Sequence, residues 1–177
     1  VEHAWRSMYD ELSGLPNRYL LRDRLELEVK SARREQRGLG VLMIDLNGFK
    51  EINDDFGHSA GDHAIRIISA RLQGFARDSD TFARIGGDEF CALLPGIAGE
   101  YDLELVARRA AVKIGEPFTY GSHLLCVSAA IGGALFPRHG DDGQVVLEAA
   151  DAAMYRAKRG GTEYVGVRSY ADVASGD

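Results

Sequence analysis

At 177 residues, with 45% hydrophobic and 27% charged side chains, the chain has enough apolar mass for one packed core and too much for intrinsic disorder. Its formal charge of −6 excludes broad electrostatic capture of a nucleic-acid polymer, which requires a basic face. No apolar run reaches the roughly 20 residues that cross a bilayer, and Val1-Glu2-His3-Ala4-Trp5-Arg6 lacks a secretory pattern, so a cytoplasmic location is expected. A start without Met is expected of a fragment of a longer protein.

In chain order, residues 2 to 12 have helical character, broken by the turn-rich Ser13-Gly14-Leu15-Pro16-Asn17-Arg18. A second helix begins near Tyr19 and places Leu21, Leu25 and Val29 on one face, with Gly38 and Gly40 closing the region. Val41-Leu42-Met43-Ile44 reads as a strand covered on both faces, ending abruptly in Asp45. Ala64, Ile65, Ile68 and Leu72 then mark a helix from Gly61 to Leu72. Two short apolar runs, Thr81 to Ile85 and Cys91 to Leu94, flank Gly86-Gly87-Asp88-Glu89-Phe90 as a hairpin, with the glycines expected at positive φ. A helix from Tyr101 to Ile114 follows, then a strand from Leu124 to Leu135. A last helix carries Val146, Ala149, Ala150, Ala153, Met154 and Ala157 on one stripe, and Tyr164 to Val167 forms a final strand. Cys91 and Cys126 both fall in strand-like runs and are expected to be buried and reduced, as in a reducing compartment. The order strand, helix, hairpin, helix, strand, helix, strand predicts an α+β fold with a largely antiparallel central sheet of βαββαβ type flanked by helices.

Several residues stand out chemically. Asp45 ends an apolar strand, where a buried charge needs a partner, either a cation or the backbone of the next turn. If that strand pairs with the hairpin, Asp45 approaches Asp88 and Glu89, and three carboxylates so placed repel one another unless a cation joins them. Ser59 and Asp62 have the spacing of a helix capping box, and His58 reads as a structural hydrogen-bonding residue. Arg77-Asp78-Ser79-Asp80 reads as a charged connection with a surface ion pair of little energetic weight. Lys158 has the position of a cation at a helix carboxyl end.

The stretches Asp10 to Arg18, Asp45 to Asp62, Arg84 to Phe90 and Ala150 to Lys158 together resemble, in family order, the motifs of the GGDEF diguanylate cyclases. The resemblance spans nearly the whole chain. It implies a fold similar to nucleotide cyclase and polymerase palm domains, with residues 1–14 as a linker helix to an upstream sensor, 15–168 as the catalytic domain and 169–177 as a tail. It implies that two GTP molecules are joined into cyclic di-GMP with release of two pyrophosphates, by a homodimer that uses Mg²⁺, with Mn²⁺ as an alternative. Carried over, Asp45, Asp88 and the Leu46 carbonyl hold the metal. Glu89 is a further ligand or the group that activates the attacking hydroxyl. Gly48 and Phe49 bind the substrate, Lys50 and Lys158 meet its phosphates, with Lys50 also in the catalytic set, and Asn53 and Asp62 read the guanine edge. Arg77 and Asp80, with Arg108 as a secondary arginine, form an inhibitory product site. Two positions depart from the pattern: Asn47 replaces an Asp, and Thr162 replaces a basic residue after Lys158, with Arg159 as a neighbouring substitute. The competing expectation is a module without catalysis, a cyclic di-GMP receptor or GTP sensor.

Overall fold

The structure is a computed structural model describing Ala4 and residues 7–167. Residues 1–3, 5 and 6 of the expected linker helix and the expected tail, 169–177, lie outside the described residues. Helix is described at Ala4, Ser7 and Met8, after which Tyr9 bridges to Pro16, so the first helix does not run to residue 12. The cause is local. The Asp10 carboxylate accepts from the Ser13 N–H at 2.8 Å, and its carbonyl from Gly14 at 2.8 Å, a turn that competes with helix continuation.

The described elements are α1 (Arg18–Glu35), β1 (Leu39–Asn47), α2 (Phe49–Phe56), α3 (His58–Phe75), β2 (Thr81–Arg84), β3 (Glu89–Pro95), α4 (Glu100–Gly115), β4 (Phe118–Tyr120), β5 (His123–Leu125), β6 (Ser128–Phe136), α5 (Gly143–Gly160) and β7 (Tyr164–Gly166). Five strands form one sheet in the order β2-β3-β1-β6-β7. β1 at its centre pairs antiparallel with β3 and β6, and β7 joins β6 in parallel. A separate hairpin holds β4 and β5.

Period-2 alternation sorts the sheet's side chains into two cores. Val41, Met43, Cys91 and Leu93 face α1 and α5, meeting Leu21, Leu25, Val146 and Met154. Leu42, Ile44, Phe90 and Ala92 face α3 and α4, meeting Ile65, Ile68, Ala107 and Ile114. β1 is thus covered on both sides, which is why it is a continuous apolar run.

Several expectations need correction. The polar stretch after Asp45 contains a helix of its own, α2, whose N-cap Gly48 sits at φ 89°, a left-handed conformation that suits glycine. The expected strand from Leu124 to Leu135 is two elements, β5 and β6. In the link between them Leu125 and Val127 turn inward and Cys126 outward, so Cys126 is exposed. Cys91 is buried as expected, and burial pushes its thiol up to about 12. No capping box forms at Ser59 and Asp62, because α3 starts earlier, with Gly57 as its N-cap. His58 is exposed in the first turn of α3. Helix α1 ends through Gln36 in the left-handed region at φ 54°, ahead of the glycines expected to close it. No helix among the described residues is long and apolar enough to cross a membrane.

At Gly132 of β6 helix α5 lies close against the sheet: an added Cβ would stand 2.0 Å from the Met154 nitrogen and 2.2 Å from the Ala150 oxygen. Backbone cannot retreat as a flexible side chain can, so this glycine sets the height of α5 above the sheet. Gly132→Ala is expected to destabilise the fold by about 2–3 kcal/mol through overpacking, measured by urea denaturation. An unchanged midpoint would show that α5 is free to lift.

Candidate nucleotide and metal site

The candidate site gathers at one end of the sheet's central strands. Asp45 leaves the apolar run of β1 only 7% exposed, and the Lys158 ammonium meets its Oδ2 at 3.0 Å. Its Oδ1 is buried without a hydrogen-bond partner. The close seat of α5 on Gly132 brings Lys158, in the helix's last turn, across to β1.

On the other side of β1, register places Asp45 opposite Glu89, and the Leu46 N–H donates to the Asp88 carbonyl at 3.1 Å. Pairing of β1 with the hairpin therefore unites the carboxylates as the sequence predicts. Burial first, and then the Asp45 charge, push the Asp88 and Glu89 carboxyls above their usual range, with Asp151 and Asp88 adding to the effect at Glu89. The hydrogen bond from Lys158 to Asp45 is the main reason its ammonium is held above the ordinary lysine range.

Between the strands, the turn is not built as expected. Neither Gly86 nor Gly87 takes a positive φ. The turn closes through the Ile85 N–H on the Glu89 carbonyl at 2.9 Å, while the Arg84 guanidinium donates to the Gly87 carbonyl at 2.9 Å and to Asp10 at 3.0 Å. Gly86 matters for room: an added Cβ would lie 3.1 Å from Glu89 Oε2. Hydrogen bonds from Ser13 and Arg84 outweigh the burial of Asp10 and hold its carboxyl below the ordinary range. Arg84 and Asp10 are thus turn-fixing residues that sequence reasoning passed over, although each lies inside a motif it used.

A second wall is made by α2 and α3. The Asn53 amide packs where a side chain at position 61 would be, with its Oδ1 1.9 Å from the place of an added Cβ. Gly61 therefore lets Asn53 approach the start of α3, where the next residue, Asp62, is exposed. Phe49 packs on the core and Lys50 is exposed beside it. No described contact joins Lys50 to Lys158.

Beyond Lys158, a cleft of about 540 Å³ is lined by Asn47, Ser128, Lys158, Thr162 and Glu163, among others. Thr162 turns its hydroxyl back to the Ala157 carbonyl at 3.5 Å, and the Arg159 guanidinium lies 5.6 Å from the Tyr155 ring centroid. Neither supplies a second cation beside Lys158.

Arg77 and Asp80 form a bidentate pair, closest at 2.8 Å, and Asp80 is more buried than a surface pair predicts, its side chain 5% exposed. Arg77 also donates to the Pro95 carbonyl at 2.9 Å. Pro95 ends the strand that Glu89 begins, so about 20 Å of β3 separates this pair from the carboxylates. Arg108 is engaged by Glu104 at 2.8 Å and Glu163 at 3.4 Å, and none of its described contacts reaches Arg77 or Asp80.

The family profile described as "Diguanylate cyclase, GGDEF domain" matches residues 7–164. The chain belongs to the GGDEF-domain family. It is 40% identical over 158 residues to diguanylate cyclase DgcP of Pseudomonas aeruginosa, a match covering 89% of this chain and 23% of that protein. The chain thus spans about a quarter of that relative. Its fold is similar to a solved structure of TpbB (YfiN) from P. aeruginosa comprising only the GGDEF domain, with TM-score 0.86, 38% identity and coverage of 90% of this chain and 94% of that one. It is also similar to the GGDEF domain of DgcB from Caulobacter crescentus in complex with c-di-GMP, with TM-score 0.85, 27% identity and coverage of 92% and 97%.

For a GGDEF domain the donor set suits a hard divalent cation. Among the described residues no three acidic, histidine or cysteine side chains converge as a finished metal cage. Mg²⁺, however, usually takes one or two carboxylates and completes its shell with water and substrate phosphate. The unpartnered Asp45 Oδ1 and the mutually repelling Asp88 and Glu89 are such oxygens.

The raised carboxyls carry a pH signature. Asp88 and Glu89 hold protons more tightly folded than unfolded, so stability falls as pH rises from the ordinary carboxylate range through the raised values. Asp88→Asn and Glu89→Gln are therefore expected to raise the Tm at pH 7 in EDTA, with the gain shrinking toward acid pH. A lower Tm at pH 7 for both variants would contradict this electrostatic account.

Proposed function

We propose that the chain condenses two GTP molecules into cyclic di-GMP, and the observation that carries this is the meeting of Asp45, Asp88, Glu89 and Lys158 at one end of the central strands. Asp62 is suited to accept from guanine N1–H and N2–H₂, which adenine does not offer in that arrangement, while the Asn53 amide both donates and accepts. An unpaired carboxylate at that edge disfavours ATP strongly. Lys158, with Lys50 and the Gly48-Phe49 backbone, meets the phosphates. Thr162 leaves this clamp with fewer cations than the family pattern has, and favours the second reading, a GTP or cyclic di-GMP binding module without turnover.

In each of the two steps a 3′-oxygen forms a bond to the α-phosphorus of the facing nucleotide, the bond from that phosphorus to the pyrophosphate oxygen breaks, and the hydroxyl proton leaves. Glu89, its carboxyl raised by burial and the charge of Asp45, is the residue proposed to hold that proton at a carboxylate oxygen. Asp45, Asp88, the Leu46 carbonyl and Glu89 are the residues to hold Mg²⁺ or Mn²⁺, which when bound supplies phosphate charge neutralisation and a more acidic hydroxyl. One chain seats one GTP, so two copies must face each other. Arg77 and Asp80 offer a guanidinium fork and a carboxylate of the kind that suits a guanine nucleotide product, which supports product inhibition. By analogy with its longer relatives, the chain is proposed to act under an upstream sensor and in the cytoplasm.

Incubation with GTP and Mg²⁺, read by mass spectrometry, is expected to yield cyclic di-GMP with turnover rising faster than linearly with protein concentration. Glu89→Ala is expected to lose the product at least a hundredfold, ATP to give none, and Arg77→Ala to escape inhibition by added product. Absence of product at high protein concentration, with folding and GTP binding intact, would leave the binding-module reading. Equal inhibition of wild type and Arg77→Ala would remove the product site.

A further inference from the structure

A second polar cleft, of about 550 Å³, lies beside the hairpin turn and takes no part in the reading above. Arg18, Arg22, Arg84, Asp10 and Gly86 contribute to its lining. Asn17 caps α1 by accepting from the Tyr19 and Leu20 N–H groups at 3.0 Å, which fixes the first turn, and Arg18 and Arg22 lie four residues apart on one helical face.

The three guanidinium groups are not equivalent. Arg84 is paired with the cleft's carboxylate, Asp10, and tied to the turn at Gly87. Arg18 makes one long hydrogen bond, to the Ile85 carbonyl at 3.3 Å, and neither it nor Arg22 is in an ion pair among the described residues. Both are exposed. With Asp10 and Arg84 paired to each other, no described ion pair neutralises Arg18 or Arg22, in a chain that is acidic overall. Arg18 is also close enough for its charge to oppose the upward shift at Glu89.

Asp45 and Glu89 face the same side of the sheet, the side covered by α1 and α5. Lys158 belongs to α5, whereas Arg18 and Arg22 belong to α1. The carboxylates therefore lie between two cationic walls on different helices. We propose that Arg18 and Arg22 bind phosphate oxygens of the nucleotide seated on a second copy of this chain. The proposal rests on the cyclase reading, in which an α-phosphate must arrive at the turn from outside. Guanidinium forks suit such phosphate oxygens, and at an interface they are desolvated and strengthened. Each half-site is then incomplete until the other chain brings its nucleotide, so nucleotide binding and chain association are coupled.

The test uses the 177-residue chain with 3′-deoxy-GTP and Mg²⁺, a nucleotide that binds without offering the attacking hydroxyl. Sedimentation should show nucleotide strengthening self-association of the wild type at least tenfold, and that gain lost in Arg18→Ala/Arg22→Ala. Nucleotide affinity of the dilute single chain, by calorimetry, should stay within twofold, and Arg18→Lys/Arg22→Lys should recover part of the association. The proposal is overturned if the double alanine variant associates like wild type, if single-chain affinity falls in parallel, or if nucleotide leaves the wild type's association unchanged. A wild type that does not bind 3′-deoxy-GTP would sink the cyclase reading and this inference with it. Nucleotide-driven association that depends on the arginines, in a chain that makes no cyclic di-GMP from GTP, would keep the inference and remove the catalysis.

Discussion

A carboxylate with little access to water at the end of the central strand is the constraint around which this domain is arranged. Asp45 is 7% exposed, and one of its oxygens has no hydrogen-bond partner. A charge in that position is costly unless a cation meets it. The neighbouring elements supply one: α5, seated tightly against Gly132, carries Lys158 to within 3.0 Å. Antiparallel pairing with β3 then adds Asp88 and Glu89, whose carboxyls are raised first by burial and then by the charge of Asp45. What remains is a local excess of negative charge, of the kind a hard divalent cation would offset.

The same sheet separates functions by strand length. The carboxylates stand where β1 ends and β3 begins, while Arg77 and Asp80 are tied to Pro95 at the far end of β3. The Arg77–Asp80 pair is thus held about 20 Å of strand away from the carboxylates. The two cores on opposite faces keep that geometry rigid, because β1 is held from both sides and shifting its register by one residue would exchange its two sets of inward side chains.

Much of this was legible in the sequence, for identifiable reasons. The continuous apolar run from Val41 to Ile44 marked a doubly covered strand, and its abrupt end marked Asp45. The alanine-rich stripe from Val146 to Ala157 marked α5. Less legible was whatever depended on contacts across the fold. Helix α2 was hidden because its polar face, including Asp54 and Asp55, outweighs its single buried residue, Ile52. The glycines of the turn were assigned a conformation they do not adopt, since the turn is held from outside by Arg84 and Asp10. Cys126 looked like a core residue until β5 and β6 proved to be separate elements. The pairing of Lys158 with Asp45 spans 113 positions and follows only from the topology.

If the buried charge of Asp45 organises the site, its coupling to Lys158 must be measurable in the folded chain itself. A double-mutant cycle of Asp45→Asn and Lys158→Met, followed by chemical denaturation without divalent cations, measures it directly. The account predicts that Lys158→Met destabilises the wild type but has little effect in the Asp45→Asn background, with a coupling of about 1 kcal/mol. Strictly additive effects would contradict it.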